Sequence, residues 1–353
     1  MELIKNRLKS FLLKLLVAVT GVMLIALRED VGEKISEALT LCADVLIPSL
    51  FPFMVLSSFA LSLGIFEKNS RIMSFVMSKL FRLPSAAVSA VLFGFVGGYP
   101  VGARVILSLY EKGSISRDDA RHLFAFCVNA GPAFIVSVAG GMIIGSVKAG
   151  YVMLFSVLLS SVIVGFVYAR FKPKNNCAEP VAVISRADIA DSLVSAVTGA
   201  STGILSVCAW VIAFVAFSAV VRYFINNCNI LLLYESLSEV TSGLVSATKI
   251  GGIPFASACI AFGGVSVACQ LLPAIKKCGI KVGEYLLFRI ANSILSYIIT
   301  SVMMKFVQIS VPTLSQYQAQ LHFAPASAAL LIMCAVLIFD LSSQKQKQLK
   351  IFG

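Results

Sequence analysis

Phe93-Gly-Phe-Val-Gly-Gly-Tyr-Pro-Val-Gly-Ala-Arg104 is the stretch whose reading decides the fold. It closes Leu83 to Ala103, a segment of membrane-spanning length that carries no charge. A segment that only anchors a protein in lipid runs as unbroken Leu, Ile and Val, because a freed backbone N–H or C=O is costly in hydrocarbon. Here Gly97, Gly98 and Pro100 break the helix, and the cation Arg104 follows directly. The freed groups need another partner, and in transporters that partner is a substrate or ion held at the ends of discontinuous helices.

The rest of the chain agrees with a membrane setting. Of 353 residues, 58% are hydrophobic and 13% charged, with a mean hydropathy of +0.93, against about a quarter charged in soluble domains. Uncharged runs recur at Val45 to Phe66, Leu83 to Ala103, Leu123 to Val147, Ala149 to Ala169, Ser192 to Val221, Ile250 to Ile275 and Phe306 to Phe339. Each reaches the ~20 residues a spanning helix needs. The expected fold is therefore all-α and polytopic. Phe11 to Leu27, interrupted by Lys14, reads as a retained first helix, since Leu24-Ile-Ala-Leu-Arg28 offers no small-residue cleavage site.

The net charge of +12 lies dispersed between apolar runs, which points to membrane topology and away from nucleic acid. Lys5, Arg7 and Lys9 place the N-terminus in the cytoplasm, as do Lys345, Lys347 and Lys350 for the C-terminal tail. Arg170, Lys172, Lys174 and Arg186 mark a cytoplasmic central linker. A full crossing by Leu83 to Tyr110 would deliver that linker to the outside, so a re-entrant hairpin turning at 97 to 100 is expected. Lys276, Lys277 and Lys281 fit this scheme less readily and leave the crossings of the second half open.

An internal echo points to two related, inverted halves. Val96-Gly-Gly recurs as Phe262-Gly-Gly, and Leu123-Phe-Ala-Phe-Cys-Val-Asn129 as Leu286-Leu-Phe-Arg-Ile-Ala-Asn292. The expected organisation is an N-terminal transmembrane helix over 1–30, a first repeat over 31–170, a cytoplasmic linker over 171–187, a second repeat over 188–305, a C-terminal helix region over 306–341 and a basic tail over 342–353.

Candidate substrate contacts follow from the breaks. Gly97, Gly98, Gly263 and Gly264 expose backbone donors, beside Tyr99 and Pro100. Arg104 and Arg289 supply positive charge, with a local Arg289–Glu284 pair as the plainer alternative. Asn129, in the kink Asn129-Ala-Gly131-Pro132, and Asn292 offer donor and acceptor at depth, and Ser266 and Gln270 follow the second break. Pro48 and Pro52 are expected to break an earlier helix, and Gly94-x-x-x-Gly98 and Gly141-x-x-x-Gly145 to mark close packing. The nine cysteines contain no Cys-x-x-Cys, and the two histidines, His122 and His322, are far apart. They read as packing residues, with neither metal nor cofactor implied. No nucleophile elbow, zinc-protease motif or Walker loop is present, so an enzyme is not expected. No acidic residue lies deep in an uncharged run, and Asp44 and Glu284 lie at run edges.

Gly94-Phe-Val-Gly-Gly-Tyr-Pro-Val-Gly-Ala-Arg104, Leu109-Tyr-Glu-Lys-Gly-Ser-Ile-Ser116 and Asn129-Ala-Gly-Pro132 resemble the YlbJ-type sporulation integral membrane proteins, which carry a nucleoside-recognition, or Gate, domain. The resemblance implies inverted repeats with re-entrant hairpins, as in concentrative nucleoside transporters and ferrous-iron transporter cores. It also implies a multi-pass protein of the mother-cell or outer forespore membrane that moves dipicolinate during sporulation. Dipicolinate is a small planar dianion, suited to Arg side chains and helix N-termini. The leading expectation is thus a transporter of a small anionic metabolite in the lipid bilayer. Two alternatives stand beside it: a structural component working with other sporulation membrane proteins or as a homo-oligomer, and a nucleoside-type transporter.

Overall fold

The computed structural model describes residues 2–62, 71–171 and 188–307. All of the expected linker 171–187 but Phe171, all of the expected C-terminal helix region 306–341 but Phe306 and Val307, the basic tail and His322 lie outside the described residues. Within them the chain is helical, and five stretches are long and apolar enough to cross a membrane: Arg28–Leu56, Val147–Phe171, Ile189–Phe224, Val240–Lys277 and Val282–Phe306.

Helix α1 (Glu2–Ala26) is followed by α2 (Arg28–Leu41), a π-helical stretch (Cys42–Leu46) and α3 (Ile47–Ser62). The prolines do not break this path. Pro52 sits inside α3, the wide turn ahead of Pro48 takes up the lost backbone bond, and Ser49 Oγ donates to Val45 O at 2.5 Å. A short helix α4 (Arg71–Val76) leads to α5 (Ala87–Gly97) and α6 (Tyr99–Glu111). At about 1.5 Å per residue, neither α5 nor α6 spans a bilayer. They fold back on each other at Gly98 (φ 80°): a Cβ on Gly102 would stand 2.8 Å from the Cα of Gly94. Gly94 also lies against the Cys127 carbonyl, so no larger residue fits at this crossing.

Next come α7 (Arg117–Phe126), opened by a capping box between Ser116 and Asp119, an unwound stretch, a π-helical segment (Ala133–Ile143) and α8 (Val147–Phe171). The interrupted path runs antiparallel to α8: His122 meets Gly165 O at 2.8 Å, Asn129 meets Ser161 at 2.9 Å, and Gly140 abuts Gly150. In the second glycine motif it is Gly140, not Gly141, that makes the close approach, while Gly145 (φ 75°) forms the turn. Helix α8 turns small residues inward, among them Ala149, Gly150, Ser156, Ser160, Ser161 and Gly165, and large ones such as Tyr151, Phe155 and Val167 outward. That polarity suits a helix packed by close contact and surrounded by lipid.

The same succession occurs again: a long helix α9 (Ile189–Phe224), a hairpin, an interrupted helix and a long helix α13 (Val282–Phe306). The second hairpin comprises α10 (Cys228–Ser238) and the first limb of α11 (Val240–Phe262), which kinks at Gly251 and Gly252. The limbs cross where a Cβ on Gly243 would strike the Glu235 carbonyl. The second limb of α11 and α12 (Gly264–Lys277), interrupted at Gly263 and Gly264, run antiparallel to α13 through Ser257–Ser296 (2.7 Å) and Ser293–Ala258 (2.8 Å).

The paired echoes of the sequence therefore fall on different elements. Gly97-Gly98 is a hairpin tip, whereas Gly263-Gly264 interrupts a helix; Asn129 lies in a break, whereas Asn292 lies inside the continuous α13. The hairpin tips lie at Gly97-Gly98 and at Ser238-Glu239, and the helix breaks at Asn129–Pro132 and at Gly263-Gly264. The loops after α6 and after α12 share one face, joined by Lys277–Glu111 (3.6 Å), Arg117 to Gly279 O, and Arg121–Glu284.

Candidate functional site

Two hairpin tips and two helix breaks meet at one place. The first tip touches the first break backbone to backbone, since a Cβ on Gly98 would lie 3.1 Å from Gly131 N. The second tip touches the second break in the same way, Gly264 facing Val240 N and Ser238 O. Tyr99 links the sets: its ring packs on Gly263, and its hydroxyl donates to Ile260 O at 2.5 Å.

Breaking a helix orphans carbonyls at the first half's C-terminus and N–H groups at the second half's N-terminus. The two kinds of orphan are handled differently here. The carbonyls are satisfied by buried side chains. At the end of α7, Asn292 Nδ2 donates to Ala125 O (2.9 Å), Asn129 Nδ2 to Phe126 O (2.7 Å) and Arg289 to Val128 O (2.6 Å). At the end of α11, Arg289 donates to Phe262 O (3.2 Å) and to Ala261 O. Asn129 Oδ1 accepts from Ser161 (2.9 Å) and Arg289 (3.3 Å). Arg289, 0% exposed, thus clamps the negative ends of both interrupted helices, 5.8 Å from the Tyr99 ring centroid.

The N–H ends face a cavity of ≈ 720 Å³, a volume that includes space open to the surroundings. Four helical segments begin at its wall: α6 at Tyr99, the π segment at Ala133, α11 at Val240 and α12 at Gly264 next to Ser266. Three of the four have no side-chain cap. Only α11 is capped, by Glu239, whose Oε2 accepts from Thr241 N (2.9 Å), Ser242 N (2.7 Å) and Ser242 Oγ (3.0 Å). Apart from Thr241, Ser266 and Gln270, the remaining wall is apolar and aromatic, including Leu50, Phe53 and Met54 of α3, Phe134, and Trp210 of α9.

Of the residues expected at a substrate site, Gly97, Gly98, Tyr99, Pro100, Gly131, Ser266 and Gln270 line the cavity. Gly263 and Gly264 stand behind it as tip supports, and Pro132 opens the π segment next to it. Arg289, Asn129 and Asn292 are withdrawn into the carbonyl clamp. Arg289 does not pair with Glu284, which binds Arg121 instead. Arg104 sits on the second limb of the hairpin and donates to Gly199 O of α9 at 2.5 Å, away from the cavity wall. Sequence reasoning missed Glu239, which is 2% exposed and part of the wall. Its signal was faint: Ser238-Glu-Val-Thr-Ser242 reads as a surface loop until the fold makes it a buried hairpin tip. Among the described residues no group of three or more His, Cys, Asp or Glu is placed to hold a metal ion.

A curated relative, the sporulation integral membrane protein YlbJ of Bacillus subtilis (strain 168), is 25% identical over 142 residues. The match covers 40% of this chain and only 35% of the relative's length. No solved structure matches the chain. The first tip, the first break and α8 all fall inside residues 43–172, which match the family model described as Gate, nucleoside recognition.

Proposed function

We propose that this multi-pass membrane protein carries a small anion across the bilayer and holds it between the two hairpin tips. One observation carries the reading: four helix N-termini open on a single cavity, three of them uncapped, while the C-terminal carbonyls at the two helix breaks, at the ends of α7 and α11, are bound by Arg289. Helix N-termini offer free N–H donors and the positive end of the helix dipole, which together bind carboxylates and phosphates. The flanking Phe134, Tyr99 and Trp210 suit a flat aromatic body. A planar aromatic dicarboxylate such as dipicolinate meets both demands, and the relative's sporulation name is in keeping with that cargo.

In this reading the two successions of elements are copies of one unit. Each contributes three crossings and one re-entrant hairpin, so an odd number of crossings inverts the second copy. With the N-terminus cytoplasmic, the shared face of Glu111, Arg121, Lys277 and Glu284 is cytoplasmic as well. Lys276, Lys277 and Lys281 then obey the positive-inside bias, once the hairpin α10–α11 is counted as re-entrant.

A nucleoside cargo is the second reading, favoured by the family model's description and by Glu239, Thr241, Ser266 and Gln270 on the wall. The chain's one tryptophan is Trp210, so its fluorescence reads cavity occupancy directly. Titration of the purified protein with dipicolinate should change that emission saturably while uridine leaves it unchanged. Saturation by uridine alone would replace the anion with a nucleoside.

A further inference from the structure

Arg104 lies outside the cavity, yet nothing around it neutralises its charge. Its exposed guanidinium donates through Nη1 to Gly199 O at 2.5 Å, and among the described residues no carboxylate pairs with it. Gly199 sits inside the continuous helix α9, so its carbonyl already accepts an intrahelical bond and does not depend on Arg104. Arg289 differs, because it satisfies carbonyls stranded at helix breaks. A cation set within a membrane bundle without a counter-charge marks the path of a substrate or ion.

Three helices relate Arg104 to the cavity. On α6 it follows the wall residue Pro100 by four positions, which places it on the same helix face about 6 Å further from the tip. On α9, Gly203 precedes the wall residue Val207 by the same interval. From α3, Met54 lines the cavity and reaches Gly203, where an added Cβ would strike its Cε. Gly199 and Gly203 leave a furrow in which the guanidinium rests on α9, since Cβ atoms there would stand 3.9 Å from Nη1 and 3.1 Å from Nη2. Beyond Arg104, α6 runs to Glu111 on the face assigned to the cytoplasm, and α9 begins at Ile189 after the cytoplasmic linker. Both helices therefore put Arg104 between the cavity and the cytoplasm.

We infer that Arg104, seated in the glycine furrow of α9, is a second anion subsite on the cytoplasmic approach to the cavity. The inference deepens the anion-carrier reading and rests on it. With Nη1 turned to Gly199, the Nε–Nη2 edge of the guanidinium remains to take one carboxylate in a two-point contact. A single exposed guanidinium binds weakly, so the anion stays briefly and passes on to the N-termini at the tips. Because the subsite lies on the route and not in the cavity, it speeds entry and exit together and leaves the Kd of the cavity nearly unchanged.

The test combines stopped-flow Trp210 emission with labelling of Arg104 by phenylglyoxal, read by peptide mass spectrometry, on the full-length purified protein. In the wild type, dipicolinate should shield Arg104 from the reagent with a midpoint about tenfold or more above that of the Trp210 change. At low ionic strength Arg104→Gln should lower kon and koff by about tenfold each, the low end of electrostatic steering, and high KCl should shrink the difference. Arg104→Lys keeps the charge and should stay within about threefold of the wild type. Unchanged rates in Arg104→Gln, or no shielding in the wild type, would reduce Arg104 to an anchor of the hairpin and overturn the inference while the anion reading stands. A midpoint shared by shielding and Trp210 emission would make Arg104 part of the cavity site and overturn it as well. Shielding by phosphatidylglycerol in mixed micelles but not by dipicolinate would assign the guanidinium to lipid phosphate, with the same consequence. No Trp210 response to dipicolinate in any of these proteins refutes the anion reading and the inference with it.

Discussion

Replacing Arg289 with methionine should destabilise the protein far more than removing any other single cation among the described residues. The guanidinium, 0% exposed, donates to Val128 O at 2.6 Å, Phe262 O at 3.2 Å, Asn129 Oδ1 at 3.3 Å, and Ala261 O. Methionine fills much of the volume but leaves three main-chain carbonyls without these donors at the ends of two broken helices. Each stranded acceptor costs ~1–3 kcal/mol. The removed guanidinium also no longer has to be desolvated, which offsets several kcal/mol. The net expectation is a loss of about 3–5 kcal/mol, the range for breaking a buried charged network, out of a typical ~5–15 kcal/mol. Arg289→Lys keeps a charge but not the fork that reaches both helix ends, so it should recover about half. Unfolding in mixed micelles by graded denaturing detergent, followed by circular dichroism and Trp210 emission, measures the difference. A loss under ~1 kcal/mol for Arg289→Met would refute the carbonyl clamp and return Arg289 to the list of candidate substrate ligands.

Other expectations test neighbouring parts of the argument. Gly94→Ala places a methyl 2.0 Å from the Cys127 carbonyl, and such overpacking against backbone should cost ~1–3 kcal/mol or more, read in the same unfolding assay. Gly98→Ala imposes φ 80° on an L-residue and presses on Gly131, so it should lose ~1–2 kcal/mol and weaken dipicolinate binding at least tenfold in the Trp210 titration. Arg104→Gln removes a donor to Gly199 O but no part of the cavity wall; stability should fall by ~1–3 kcal/mol while the dipicolinate Kd stays within about threefold, a change under ~1 kcal/mol. Glu284→Gln breaks a half-exposed pair with Arg121 and should cost no more than ~1 kcal/mol, less at high salt.

Much of the molecule was legible in the sequence, because hydrophobic length and glycine-proline interruptions are strong local signals. The all-helical membrane fold, the turn at Gly97 to Pro100 and the break at Asn129 to Pro132 all follow from them. What the sequence does not show is where the carbonyls released by helix breaks lie. Arg104 and Arg289 were read as charges for a ligand, yet a buried cation is also the best partner for carbonyls released by a helix break, and sequence does not show which carbonyls are released. Asn129 and Asn292 were matched by spacing, although one lies in a break and the other in a continuous helix; both end up donating to α7 carbonyls. Helix α13 escaped the list of uncharged runs because Glu284, Arg289 and Lys305 interrupt it. The second hairpin was hidden for a related reason. Glu235 and Glu239 break the otherwise uncharged run from Cys228 to Thr248, and only the fold reveals that Glu235 is paired with Arg222 while Glu239 caps a helix at the cavity.

The central claim is that this chain by itself carries an anion through the cavity between the hairpin tips. Uptake of labelled dipicolinate into proteoliposomes containing only this protein, with imposed proton or sodium gradients, tests it most directly. The account expects saturable uptake that Gly98→Ala suppresses. Liposomes with correctly folded and oriented protein that take up no dipicolinate under either gradient would contradict it.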